Sequence, residues 1–131
     1  MSSRPHYPHA DLTKVIIGAF YEVYNALGSG FREVVYERAL TLALHARNVP
    51  AQRQVTTTVW FKGCAAGQFR ADVVVDQQVL LELKALPSIE PSHVAQTLNA
   101  LRATKIEVGL LLNFGPKPQI KRLIVSRRSH G

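Results

Sequence analysis

The chain has 131 residues, a formal net charge of +7 and one cysteine, which fits a single domain and excludes an internal disulfide framework or a cysteine-rich zinc site. With 47% hydrophobic and 19% charged residues it is too apolar for a disordered chain, and its longest apolar runs are far too short to span a bilayer. Sixteen Lys and Arg against nine Asp and Glu point to an anionic partner, and charge alone does not choose among nucleic acid, a membrane surface and an acidic protein.

Residues 1–10 carry two prolines and no apolar run. They read as a flexible arm rather than a signal peptide, so a cytoplasmic, reducing setting is expected. Leu12, Val15, Ile16, Ala19, Phe20, Val23 and Leu27 recur at helical spacing, with Asp11 as the expected N-cap and Gly28-Ser29-Gly30 as the stop. A second helix is expected over about Arg32–Ala46, with Tyr36, Leu40 and Leu44 on one face. The β-branched and aromatic run Val55–Phe61 predicts a strand, Lys62-Gly63-Cys64 a turn, and Gln68–Val75 and Val79–Leu86 two more strands. Pro91 suits the first turn of a third helix, expected to run to about Thr104 with Val94, Leu98 and Leu101 buried. The nearly continuous apolar run Val108–Phe114 predicts a central strand covered on both faces, and Lys121–Ser126 a last one. The order ααβββαβ(β) is that of an α/β or α+β domain with a mixed sheet flanked by helices, spanning 11–126, with 127–131 as a basic tail.

Chemistry concentrates in Phe69–Val75 and Leu80–Lys84. Glu82 and Lys84 share one face of their strand, and a carboxylate and an ammonium among Leu81, Leu83 and Leu86 are costly unless paired or coordinated. A hairpin that sets Val75 opposite Val79, with the loop Asp76-Gln77-Gln78, brings Asp72 level with Glu82. A two-residue Gln77-Gln78 turn would instead send Glu82 to the other face, and Gln-Gln is poor chemistry for such a turn. Two neighbouring carboxylates suit a hard cation, Mg²⁺ or Mn²⁺. Such a metal activates water and neutralises charge on phosphate, and Lys84 would orient the water or stabilise the phosphoryl transition state. An ordinary solvated Glu-Lys pair beside an unrelated Asp72 is the plain alternative.

The stretch Gly28–Leu40, with Gly30, Glu33 and Tyr36 at the naming positions, resembles the GxxExxY protein family. Phe69-Arg70-Ala71-Asp72, Glu82-Leu83-Lys84-Ala85, His93-Val94-Ala95-Gln96 and Gly109–Phe114 follow the family in order. The likeness covers about residues 12–125. That family is assigned to the PD-(D/E)XK nuclease superfamily with the restriction-endonuclease-like fold. The resemblance implies Asp72, Glu82 and Lys84 as the catalytic trio, Glu33 as the acidic residue of the first helical motif and a third metal-side carboxylate, and Gln96 as the late-helix glutamine. It implies a metal-dependent nuclease acting on nucleic acid, DNA first, and small nucleases of this fold often form a homodimer to cut two strands. The usual proline before the aspartate is Ala71 here. The tyrosine that related nucleases often carry four residues after the glutamine is Ala100.

Other readings stand beside these. Glu33 near a helix N-terminus also stabilises exposed N–H groups, by up to about 1 kcal/mol. Tyr36 either packs in the core or bonds a site carboxylate. Gln96 is a water or substrate ligand, or a solvated helix position. Arg70 binds a substrate phosphate or pairs with Glu82 or Glu33. His93 is a capping or supporting residue. Trp60 and Phe61 belong to core or interface, and Cys64 has no catalytic partner. From Gly115 onward Lys117, Lys121, Arg122, Arg127 and Arg128 stand without an acidic residue, as a phosphate-contacting surface or a solvated terminus. A non-catalytic nucleic-acid-binding or regulatory module, and an assembly component that meets an acidic protein, are the rival functions.

Overall fold

A computed structural model describes residues 10–126. The elements are α1 (Ala10–Leu27), α2 (Glu33–Ala46), β1 (Ala51–Phe61), β2 (Cys64–Val75), β3 (Val79–Lys84), α3 (Pro91–Thr104), β4 (Val108–Phe114) and β5 (Pro118–Ile124). The five strands form one sheet in the order β1-β2-β3-β4-β5. Neighbours pair antiparallel except β3 and β4, which are parallel and joined through α3. This is a mixed-sheet α+β fold of the restriction-endonuclease-like kind. Among the described residues no helix is long and apolar enough to cross a membrane.

The sheet is covered on both faces. Ile16 and Phe20 of α1 and Tyr36, Leu40 and Leu44 of α2 pack on Val73, Val75, Leu81, Leu83, Leu110 and Leu112. On the opposite face Ala100 and Leu101 of α3 pack on Val74, Leu80 and Leu123. Every residue of β4 is buried, as its unbroken apolar run predicts.

Several boundaries differ from expectation. Helix α1 begins at Ala10, so Asp11 lies in its first turn rather than at the cap. Strand β1 begins four residues earlier, at Ala51, because Gln52 and Arg53 pair with Val74 and Val73 whatever their polarity. Strand β2 begins at Cys64, since Lys62 and Gly63 both adopt positive φ (52° and 78°) and close a two-residue hairpin turn. Strand β3 ends at Lys84 because the Asn113 side chain takes over from the ladder. Its Oδ1 accepts from Leu86 N–H at 2.9 Å and its Nδ2 donates to Leu86 C=O at 2.9 Å. Strand β5 starts at Pro118, where a first-residue proline on an edge strand costs no ladder bond. Pro91 and His93 open α3 as a capping box: Glu90 N–H donates to His93 Nδ1 at 2.9 Å, and the Glu90 side chain accepts from the His93 backbone.

Candidate active site

The register of β2 on β3 is the one the loop argument required. Val75 faces Val79, Val74 faces Leu80 and Val73 faces Leu81. Pairing then stops, and side chains replace the next rung. Asp72 Oδ2 accepts from Leu83 N–H at 2.8 Å, and Glu82 Oε2 accepts from Asp72 N–H at 3.4 Å. The two carboxylates are thus tied to each other's strand where β2 and β3 part.

The cause of the parting lies on β1. Gln54 has φ 57°, and the rung that would join it to Asp72 is missing between Arg53–Val73 and Val55–Ala71. A left-handed residue inside a strand shifts the side-chain alternation by one step. Ala51 and Val73 pack with the α1–α2 core, whereas Val55, Ala71 and Phe69 pack with the α3 cluster. Asp72 sits at that shift.

Glu37 of α2 fills the space beneath, and sequence reasoning missed it. It is only 4% exposed; Arg53 Nε donates to its Oε1 at 2.9 Å, and Gln54 Nε2 lies 2.9 Å from each carboxylate oxygen. The shift at Gln54 is what lets two consecutive strand residues reach one carboxylate. The signal was present: Glu37, Leu40 and Leu44 share i, i+3, i+7 spacing, which puts Glu37 on the buried face.

The electrostatics follow from this crowding. Burial pushes the Glu82 carboxyl up to about 8, the adjacent Asp72 charge adds to the rise, and the Asp72 N–H and Lys84 oppose it. Burial also raises Asp72; the Leu83 N–H pulls it back, Glu37 and Glu33 raise it again, and Lys84 lowers it. Near neutral pH the pair therefore resists carrying two negative charges at once. Lys84 lies half-buried on the same strand face as Glu82, and no ion pair within 4 Å engages it among the described residues.

The two naming residues around Glu33 set the approach of α2. Tyr36 is fully buried and stacks on Phe114, with centroids 4.3 Å apart. Its hydroxyl donates to Gly28 C=O at 2.6 Å and accepts from Phe31 N–H at 3.1 Å. It therefore packs in the core and clamps the turn, where Gly30 has φ 114°, and bonds no carboxylate. Glu33 follows as the first residue of α2, exposed, lining a hollow shared with Ala85 just past Lys84. It stands apart from the Asp72–Glu82 contact, though both carboxyls are raised by its charge.

The remaining candidates scatter. Gln96 is exposed on α3 and makes no hydrogen bond to Asp72, Glu82 or Lys84. Arg70 is exposed, opposite Thr56, and pairs with neither Glu82 nor Glu33. Lys121 is level with Glu82 through Leu111, two strand spacings or about 10 Å away. Arg122, next along, points to the other face, and Lys117 is exposed in the loop before β5. Arg127 and Arg128 lie outside the described residues. Trp60 and Phe61 are exposed, so the core alternative for them fails.

Among the described residues no three His, Cys, Asp or Glu side chains converge as a metal cage. Asp72 and Glu82 alone offer hard oxygen donors in mutual repulsion, and Mg²⁺ is commonly held by one or two carboxylates with waters and substrate phosphate completing its shell. The donor set fits such an ion.

The family model of the PD-(D/E)XK nuclease superfamily matches residues 10–123, nearly the whole of the described chain. The protein belongs to that superfamily. The match does not single out the GxxExxY family within it. Among solved structures, the crystal structure of SSO0001 is similar, with a TM-score of 0.55 and 18% identity over 92% of this chain and 61% of that one. That likeness is one of fold, and the chain spans about three fifths of that protein's length. A comparison with curated proteins finds no match.

Proposed function

We propose that the protein is a divalent-metal-dependent nuclease that hydrolyses phosphodiester bonds, with DNA as the first substrate to test. The observation that carries this reading is the pair of half-buried carboxylates, Asp72 and Glu82, held where β2 leaves β3 with Lys84 beside them. Superfamily membership supports it. The residues that would hold Mg²⁺ or Mn²⁺ are Asp72 and Glu82, with Glu33, exposed at the start of α2, as a third carboxylate on the metal side. The bound metal would supply Lewis-acid activation of water and neutralisation of phosphate charge. The Lys84 ammonium would orient the attacking water or meet the charge that builds on the phosphoryl oxygens as the water O–P bond forms and the P–O bond to the leaving strand breaks. Gln96, exposed on α3, would hydrogen-bond a site water or the substrate. Lys121, Lys117, Arg122 and Arg70 would hold backbone phosphates without reading sequence. A cytoplasmic setting and a homodimer that cuts two strands complete the proposal.

The test is cleavage of single- and double-stranded DNA and RNA by wild type, Glu82→Ala and Lys84→Ala, with Mg²⁺ and with Mn²⁺. Metal-dependent cleavage lost in both variants is expected; cleavage surviving both would reject the site. Thermal stabilisation by Mn²⁺ that vanishes in Asp72→Ala checks the metal separately. Stabilisation without cleavage would favour a non-catalytic nucleic-acid-binding module on the same fold.

A further inference from the structure

The β1–β2 hairpin carries its largest apolar side chains outward. Trp60 and Phe61 are 66% and 65% exposed, and neighbouring Val59 is exposed as well, which marks a contact surface rather than scattered apolar residues. Beside Trp60 runs an open groove of about 530 Å³ between the hairpin and α3, lined by Phe69 from β2, by Asn99 and Arg102 from α3 and by Lys105 at its C-cap.

The charge lining this groove has one sign: Arg102 and Lys105 are its charged residues, and no acidic residue lines it. The hairpin that forms its other wall adds Arg53, Lys62 and Arg70. Arg53 is spent on Glu37. Lys62 lies over the Phe61 ring, 5.4 Å from its centroid. Arg102 donates to the neutral Asn99 Oδ1 at 3.2 Å. Among the described residues no ion pair neutralises Lys62, Arg102 or Lys105.

We infer that this aromatic, basic groove binds unpaired nucleotides of a single-stranded nucleic acid. Flat π-faces accept any base that is not already stacked in a duplex, and flanking cations follow the phosphates. A second copy of the chain is the weaker occupant: a two-fold contact would set these cations against their own images with no carboxylate in the patch. The inference extends the nuclease reading to the form of its substrate, and its binding test does not require cleavage.

Trp60 is the only tryptophan, so its fluorescence reports the groove directly. Glu82→Gln protein is titrated with an oligothymidylate of roughly 15 nucleotides, near the upper site size of a single binding fold. Quenching of Trp60 should track binding measured by anisotropy of the labelled strand. Trp60→Ala in the same background should weaken binding about tenfold, with Trp60→Phe recovering most of it. Removing both Arg102 and Lys105 by alanine should reduce the slope of log affinity against log salt by about 1.4. A duplex of the same length should bind more weakly and quench less. Unchanged affinity in Trp60→Ala overturns the inference. So does sedimentation showing a wild-type dimer that Trp60→Ala dissociates while oligonucleotide binding persists. Trp60-dependent binding in a protein that cleaves nothing would sink the nuclease reading and leave this one standing.

Discussion

Two ends of strand β2 behave as different materials. From Asp72 to Val75 the strand lies between β1 and β3, its valines are buried, and its one carboxylate is held by a neighbouring strand's N–H. From Cys64 to Arg70 it has β1 alone as a partner, and only Phe69 is partly covered. The inner end gathers negative charge: Asp72, Glu82, Glu37 and Glu33 act on one another there. The outer end and the helix beside it carry cations and aromatic rings with no acidic residue. Buried charge is expensive and does chemistry; exposed charge is cheap and makes contacts. One hairpin supplies both by letting go of β3 at Asp72.

The largest expected effect breaks the inner end by itself. Lys84→Met or Glu82→Ala should lower metal-dependent cleavage about a thousandfold, read by gel assay at saturating substrate. Trp60→Ala should raise KM about tenfold and leave kcat near wild type. Equal effects on kcat at both ends would erase the distinction.

Next comes the scaffold under the site. A Cβ at Gly115 would collide with the Leu86 carbonyl oxygen, at the place where Asn113 closes β3. Gly115→Ala should destabilise by about 3 kcal/mol, measured by denaturant unfolding. A near-neutral result would show that the chain after Lys84 yields easily and does not fix the site.

A pH titration tests the charge contrast. Glu82 is raised in the folded protein from 4.5 to about 8, so the native state holds a proton that the unfolded chain has lost. In metal-free protein this contribution is fully present below about pH 4.5, and stability is lost as pH rises from there through about 8. Glu82→Gln should therefore melt above wild type at pH 8.5, and the gap should close towards pH 5. For the same reason Mn²⁺ should stabilise wild type more at pH 8 than at pH 6, since the ion competes with the proton.

Smaller again is Glu37→Gln, which weakens the bonds from Arg53 and Gln54 while keeping the shape. A loss of about 2 kcal/mol is expected, with the Asp72 carboxyl lowered, because one of the charges that raise it is gone; carboxyl NMR shifts across a pH series read that change. The smallest effect is on the stability of Trp60→Ala, expected within about 0.5 kcal/mol of wild type because the ring is exposed. A larger loss would mean that the outer end is part of the core.

Periodicity and punctuation were enough for the order of elements, the central place of Val108–Phe114 and the helix start at Pro91, because these depend on neighbours a few residues away. The poor fit of Gln77-Gln78 to a two-residue turn likewise pointed to the β2–β3 register, with Val75 opposite Val79 across a three-residue loop. Asp72 beside Glu82 and Lys84 was therefore legible in the sequence. What only the tertiary structure decided is the long-range part. Nothing local marks Gln54 as left-handed; its conformation has meaning only against Asp72 across the ladder and Glu37 on another element. Trp60 and Phe61 carry a core-like composition, yet they stand in solvent because β2 has already left β3 and α3 leaves an open groove beside the hairpin instead of closing over it. Residue type sets what a side chain prefers, and the path of the sheet sets whether anything is there to satisfy it.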